Sequence, residues 1–152
     1  MDKLHEYAAA IVRAIDDELE VEQADENSFE YAEDLIRLNL RDDEDCGFMR
    51  HLKEKHGYAD ADKYSPMLWT ILHEVGHYET AEDYSDEEYE KGLNIKLGLA
   101  CCSPEELNSN EVLQNRYFDT AEEWYATEWA IEYIESHPRK AKKMSAELET
   151  LK

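Results

Sequence analysis

The chain has 152 residues, a length that suits one domain with its own hydrophobic core. An apolar fraction of 42%, with 10 tyrosines, 3 tryptophans and 3 phenylalanines, argues against a wholly disordered chain. The formal net charge of −22 argues against binding to a nucleic-acid backbone and favours a basic partner. We therefore expect a single domain over residues 1–152 that makes no direct contact with nucleic acid.

The negative charge is concentrated in residues 1–136, because the final segment, residues 137–152, is basic. No run of about 18 apolar residues occurs, so we expect no membrane span. The acidic, amphipathic N-terminus is unlike a secretory signal. The cysteines Cys46, Cys101 and Cys102 lack the spacing of a disulfide framework, which favours a reduced, cytoplasmic protein.

Two helices are predicted in the first part of the chain. Residues 2–22 carry apolar side chains at spacings of three and four, with Asp2 as the N-cap. Ser28 is predicted to cap a second helix over residues 28–36. The acidic run at 41–45 is predicted to be an exposed connection, because it lacks the spaced oxygen ligands and the glycine of a calcium loop.

A short third helix is predicted to begin at about Phe48 and to stop near Gly57. It carries His51 and His56, which are five residues apart. That spacing is poor for sharing one metal ion on a helix, because residues four apart share a face. We therefore interpret both histidines as structural.

A sharper helix start follows at Ser65 and Pro66, which suit the N-cap and the first helical position. The predicted helix runs to about Glu79. Gly76 in its interior costs about 1 kcal/mol relative to alanine. We therefore expect another backbone to approach the helix closely at Gly76.

The remaining segments are predicted to be mostly helical. Capping boxes are predicted to open helices at Ser85 and at Thr120, the latter running to about Ser136. A helix start at residues 103–106 and a basic amphipathic helix over 139–151 complete the set. Residues 93–100 alternate apolar and polar side chains and are predicted to be a strand, although a helix also fits. The expected fold class is mainly α, or α+β, with at most a short β element near 93–100.

The helix predicted from Ser65 contains the pattern His-Glu-x-x-His, at His73, Glu74 and His77. On a helix, residues four apart lie on one face, so both imidazoles can bind one metal ion. Glu74 lies beside them, where its carboxylate can polarise a metal-bound water. The pattern therefore predicts a zinc site with Glu74 as the general base.

A catalytic zinc ion usually has three protein ligands and one open position. Asp83, six residues after His77, is one candidate for the third ligand, but Thr80 fits poorly at the turn that such a ligand requires. Glu122 and Glu123 on the helix from Thr120 are the other candidates. Helical periodicity alone does not separate these two glutamates.

The residues around the motif resemble a known family. The segment 72–80 has the form H-E-x-G-H-Y, and the segment 123–130 has the form E-x-x-A-x-x-W-A. Together they resemble the ImmA/IrrE family of metallopeptidases. The resemblance implies a compact zincin-like helical domain with Zn²⁺ bound by His73, His77 and Glu123, as in gluzincins. Family members often have a pair of β-strands just before the motif helix, whereas residues 41–64 show no good strand.

The resemblance also implies a mechanism and a substrate class. Zinc would activate water, and Glu74 would transfer the proton to the leaving amine. Tyr78, Tyr117 and Tyr125 are the candidates for stabilising the oxyanion, and Thr127, one turn after Glu123, is the candidate for supporting a ligand. The implied substrate is one specific protein, such as a basic DNA-binding transcriptional repressor.

A different function also fits the composition. A non-catalytic acidic protein, resembling DNA in its charge and encoded by a phage or another mobile element, would occupy a basic surface on its partner. Binding to a basic protein that survives both His73→Ala and removal of metal would favour this alternative.

Overall fold

The computed structural model of the protein describes residues 1–41 and 47–152. The predicted acidic connection, apart from Arg41, and Cys46 lie outside these residues. Within the described ranges the chain forms eight α-helices, one 3₁₀ helix and one three-stranded sheet. The helices are α1 (Lys3–Ile15), α2 (Phe48–Glu54), α3 (Pro66–Glu79), α4 (Asp86–Leu99), α5 (Pro104–Ser109), α6 (Glu111–Phe118), α7 (Ala121–Ser136) and α8 (Pro138–Leu151). The strands are β1 (Glu20–Gln23), β2 (Ser28–Glu30) and β3 (Leu35–Leu38), and the 3₁₀ helix is Ala59–Lys63.

The expected mainly α fold class with a short β element is confirmed, but the predicted position of that element is wrong. Residues 93–100 lie almost entirely in α4, which begins at the Ser85 capping box as predicted. The alternating pattern does not mark one buried face, because Leu93 and Leu97 are 40% and 61% exposed. The β element instead occupies parts of residues 20–38.

The two helices predicted for the first part of the chain are therefore corrected. Helix α1 has the predicted Asp2 cap but ends at Ile15. The Asp16 side chain then accepts a hydrogen bond from the Glu18 backbone N–H at 3.0 Å, a local turn that competes with the helix. The helix predicted over 28–36 is wrong, because a turn with Asp34 at φ 50° separates β2 from β3.

The sheet has the order β1–β3–β2. Strand β1 runs parallel to β3, with Val21 opposite Ile36, and β2 runs antiparallel to β3. Ile36 and Leu38 are fully buried and join the core. The sheet precedes α3 in the chain, but it ends at Leu38, before residues 41–64, the segment that corresponds to the strand pair of the family.

Helix α3 is the central element of the core, and it begins at Ser65 and Pro66 as predicted. The Ser65 hydroxyl accepts from the Met67 backbone N–H at 3.2 Å. The same hydroxyl donates to Glu149 of α8 at 2.8 Å, which fastens the start of α3 to the last helix. Trp69 is fully buried, and its indole N–H donates to the Ala61 carbonyl oxygen at 2.9 Å. These contacts fix the position of the helix that carries the His-Glu-x-x-His pattern.

The expected close approach of a second backbone at Gly76 is also confirmed. The approaching element is α7, which meets Gly76 at Ala126. None of the helices in the described ranges combines the length and apolar composition of a membrane-spanning segment.

Candidate metal centre

The two histidines of α3 lie on one face of the helix, as their spacing predicted. The ring centroids of His73 and His77 are 4.7 Å apart, and the rings are nearly perpendicular. Both residues are buried, with 6% and 7% of their surface exposed. Most of the surface of both imidazoles is therefore shielded from bulk water.

Glu123 approaches both histidines from α7. Its Oε1 lies 3.2 Å from His73 Nε2, and its Oε2 lies 3.0 Å from His77 Nε2. The carboxylate is 4% exposed. Three side chains on two helices therefore direct nitrogen and oxygen atoms toward one point, and these are the donor types that zinc takes in catalytic sites.

Thr127 determines which nitrogen of His73 carries the proton. The Thr127 hydroxyl donates to the Glu123 carbonyl oxygen at 3.0 Å. It therefore accepts from His73 Nδ1–H, which lies 3.0 Å away. The lone pair of neutral His73 is then on Nε2 and faces the Glu123 carboxylate. Two acceptors facing each other need a cation or a proton between them, so this arrangement fits a bound metal.

Glu74 and His77 each have a buried polar atom that the described residues leave unsatisfied, and the one on Glu74 fits a bound water. Among the described residues, Glu74 Oε2 and His77 Nδ1 have no hydrogen-bond partner, although both atoms are buried. A buried polar atom without a partner costs free energy unless another group satisfies it. His73, Glu74 and His77 also offer ligand atoms within 4.8 Å of one another.

The electrostatics of the site reflect its burial and its charges. Burial opposes ionisation of Glu123, but the charge of His77 and the hydrogen bond from its imidazole overcome that effect and hold the pKa of the Glu123 carboxyl well below the usual value. Burial likewise opposes a charge on His77, but Glu123 raises the pKa of the imidazole above the usual value. Burial raises the pKa of Glu74. In the metal-free protein, His77 and Glu123 therefore form an ion pair whose proton a metal would displace.

Lys96 is a member of the site that the sequence did not reveal. Its ammonium Nζ lies 3.2 Å from Glu123 Oε2, in close contact with Glu122 Oε1, and 4.9 Å from the centre of the Tyr117 ring. The strand predicted over residues 93–100 gives Lys96 no such position. The alternative helix would have placed Lys96 one turn after Gly92, which packs against Thr120 at the start of α7.

The other candidates for the third ligand are placed differently. Glu122 lies near His77, but its Oε1 contacts Lys96 and its Oε2 accepts from the Tyr31 hydroxyl at 3.0 Å. Asp83 is exposed in the turn after α3. The Glu123 carboxylate is the one that contacts both histidines, in agreement with the resemblance.

The structure places the three tyrosine candidates in different environments. Tyr117 lines the same cleft as Glu74, and the charge of Glu123, with burial, raises the pKa of its phenol well above the usual value. The Tyr78 hydroxyl instead donates to Glu18 at 3.0 Å, and this bond raises the pKa of Tyr78 to about 12. Tyr125 stacks on Tyr84 with a centroid distance of 5.9 Å.

His51 and His56 pair with acidic residues rather than with the candidate metal centre. His51 Nε2 lies 2.8 Å from Asp119, and His56 Nδ1 lies 2.9 Å from Glu128. Their rings are in edge contact at 5.2 Å, and both side chains are buried. This placement agrees with the structural interpretation.

A cleft of about 660 Å³ opens over the candidate metal centre. His73, Glu74 and Glu123 lie in its lining, so the inward-facing acceptors are accessible to a ligand. Its lining includes residues of α2 and α3 and residues of α4, α5 and α6. A cleft of this volume accommodates several residues of a peptide.

Comparison of the chain with protein-family models, with curated proteins and with solved structures finds no match.

Proposed function

We propose that this protein is a zinc-dependent metallopeptidase. The observation that carries the proposal is the position of Glu123, whose two carboxylate oxygens lie 3.2 Å and 3.0 Å from the Nε2 atoms of His73 and His77. The glutamate of the His-Glu-x-x-His pattern lies beside this group and lines the cleft. Two histidines one helical turn apart, with a glutamate from another helix, are a donor set typical of zinc peptidases.

The proposed ligands are His73, His77 and Glu123, and Thr127 orients His73 through its hydrogen bond to Nδ1. When bound, zinc supplies a Lewis acid for the substrate carbonyl and lowers the pKa of a coordinated water. Glu74 is proposed as the general base, because its buried carboxylate lines the cleft next to His73. It takes the proton from the attacking water and gives it to the leaving amine.

Tyr117 is the proposed hydrogen-bond donor to the oxyanion. It lines the cleft together with Glu74 and Glu123, whereas Tyr78 and Tyr125 lie outside the lining. A phenol keeps its proton at neutral pH and can stabilise negative charge on the carbonyl oxygen.

Metal content and one conservative variant test the proposal. Protein purified with zinc is expected to hold about one zinc ion per chain, and a value below about 0.2 would contradict the proposal. Glu74→Gln is expected to keep the metal and to lose cleavage of a proteome-derived peptide library, as followed by mass spectrometry. Glu82→Gln, an exposed control with the same charge change, is expected to cleave normally. Full activity of Glu74→Gln would reject the mechanism.

The proposed natural substrate is a basic DNA-binding repressor, and the proposed compartment is the cytoplasm. The resemblance to ImmA/IrrE peptidases and the net charge of −22 support this substrate. The free cysteines Cys101 and Cys102 support a reducing compartment.

The charge also supports a second candidate function, that of an acidic protein that binds a basic partner without cleaving it. Binding of a basic protein that weakens with salt, yet survives both His73→Ala and EDTA, would favour this function over hydrolysis.

A further inference from the structure

The cleft extends well beyond the candidate metal centre, and its chemistry differs along its length. Next to the metal centre the wall is apolar. The Phe48 ring meets the His73 ring at 5.2 Å, and Phe118 meets Phe48 at 5.5 Å. Leu99 and Leu107 also line the cleft. A large apolar side chain next to the reacting bond would bury its surface there.

Another part of the lining is acidic. Asp25 and Glu26 are exposed in the connection between β1 and β2, and both line the cleft. Neither carboxylate forms an ion pair with a residue in the described ranges. Both are therefore available to a cationic ligand.

This acidic connection is held in place by paired side-chain amides. The Asn39 backbone N–H donates to Asn27 Oδ1 at 2.7 Å, and Asn27 Nδ2 donates to the Asn39 carbonyl oxygen at 3.3 Å. The Asn39 side-chain amide donates to the Asp25 carbonyl oxygen at 3.0 Å. These bonds tie the connection to the end of β3, so its carboxylates are presented from a fixed backbone.

The charges of Asp25 and Glu26 are not neutralised by any cationic side chain of the described lining. Lys96 is the cationic side chain among the described lining residues, and Glu122 and Glu123 already neutralise it. Glu74, which is 6% exposed, also lines the cleft and has a buried Oε2 without a hydrogen-bond partner among the described residues. A cationic peptide is attracted by this arrangement, and an acidic peptide is repelled.

We propose that the cleft binds an extended peptide segment that has a large apolar residue beside the bond to be cleaved and a lysine or arginine that reaches Asp25 and Glu26. The inference rests on the proposed peptidase function, whose substrate class it specifies. The apolar wall selects the first residue, and the acidic connection between β1 and β2 selects the second.

Peptide binding tests this specificity independently of turnover. The probes are fluorescent ten-residue peptides with a central Phe and one Lys or one Glu placed in turn at each flanking position. Binding to Glu74→Gln protein purified with zinc is measured by fluorescence anisotropy. At the flanking position where the charge matters most, the Lys peptide is expected to bind at least about 10-fold more tightly than the Glu peptide. This ratio of affinities is expected to decrease in 0.5 M NaCl, because salt screens the charges. Replacing Phe with Asn is expected to weaken binding at least about 10-fold.

Two matched double variants locate the preference. Asp25→Asn with Glu26→Gln is expected to reduce the Lys preference to less than about 3-fold. Glu87→Gln with Glu90→Gln removes two exposed charges from α4, outside the cleft, and is expected to keep the preference. Leu107→Ala is expected to weaken the Phe peptide selectively.

The outcomes separate the inference from the proposed function. Equal binding of Lys and Glu peptides, no measurable binding, or an unchanged preference in the Asp25 and Glu26 variant would each overturn the inference. The expected binding pattern without cleavage by zinc-loaded wild-type protein would support the peptide specificity and contradict the peptidase function. Cleavage of peptides with no preference for a basic or an apolar residue would support the peptidase function and contradict the peptide specificity.

Discussion

Gly76 of α3 lies against the backbone of Ala126 of α7, so closely that an added Cβ would stand 2.4 Å from the Ala126 carbonyl oxygen and 2.9 Å from its Cα. Gly76 precedes the ligand candidate His77, and Ala126 is one turn after Glu123. The backbone contact therefore sets the separation across which the Glu123 carboxylate reaches the imidazoles. This gives Gly76 a structural role that outweighs its unfavourable helix propensity.

Gly76→Ala is expected to lower the free energy of unfolding by about 1–2 kcal/mol, since overpacking against a backbone outweighs the gain in helix propensity. Gly98→Ala is the matched control, because a Cβ on that α4 glycine meets no atom within 4 Å. It is expected to raise the free energy of unfolding by about 0.5–1 kcal/mol. Urea unfolding measures the free energy of unfolding of both variants. A change of the same sign in the two variants would contradict the close approach at Gly76.

Thr127→Val is expected to weaken zinc binding by about 10-fold or more, because the hydroxyl that accepts from His73 Nδ1 is lost while the side-chain shape is kept. Competition with a chromophoric chelator measures the affinity. Thr150→Val is the control, since the Thr150 hydroxyl also bonds a carbonyl one turn earlier but lies exposed on α8. Equal zinc affinities of the Thr127 variant and the wild type would show that Thr127 does not support zinc binding.

Lys96→Met is expected to strengthen zinc binding by about 10-fold, because a cation near the metal is removed. The same change is expected to lower the stability of the metal-free protein, since Glu122 and Glu123 lose their shared counter-charge. Lys91→Met removes an exposed cation from the same helix and is expected to change neither quantity appreciably. Weaker zinc binding by the Lys96 variant would show that Lys96 supports the ligands instead.

The buried pair His51 and His56 predicts an acid-dependent loss of stability. Burial lowers the pKa of both imidazoles, so the folded protein stays neutral there at a pH where the unfolded chain, with a pKa near 6.5, takes up protons. The unfolded state then binds more protons, and the free energy of unfolding decreases as the pH falls below about 6.5.

His56→Gln tests this dependence by difference. The variant is expected to be less stable than wild type at pH 7.5, because the bond to Glu128 and the stacking on Trp124 change. Between pH 7.5 and 5.5 its free energy of unfolding should fall by about 1 kcal/mol less than that of wild type. The repulsion among the acidic side chains is common to both proteins and cancels. Parallel pH profiles would contradict the prediction.

The sequence predicted the elements of the site whose signals are local. Ser65 and Pro66 marked the start of α3 correctly, because N-cap chemistry acts within one turn. The spacing of His73 and His77 predicted one shared helix face. The choice between Glu122 and Glu123 needed the packing of α7 on α3, which periodicity does not encode.

The predicted capping box at Thr120 is wrong, and the reason is informative. Helix α7 begins at Ala121, but the Thr120 hydroxyl donates to the Tyr117 carbonyl oxygen and makes no cap bond. The Glu123 side chain, which would complete the box, points to the histidines instead. A residue that departs from its local role in this way marks a functional or strained site.

The strand positions were predicted wrongly because they depend on contacts that the local sequence does not encode. The strands are only three or four residues long, too short for a clear alternation of apolar and polar side chains. Their positions depend on the turn at Asp34 and on pairing between β1 and β3, which joins residues distant in sequence. Lys96 escaped prediction because its role depends on the contact of α4 with α7.

The placement of the candidate ligands on α3 and α7 has a consequence for the intervening chain. A cation held by His77 and Glu123 would join the two ends of residues 78–122 in the folded protein, and because it binds the folded state it would stabilise that arrangement. That segment carries α4, α5 and α6, the part of the cleft lining that includes Leu99 and Leu107. Chelation would therefore loosen the lining that holds the peptide as well as remove the Lewis acid, so that metal loss and loss of substrate affinity occur together.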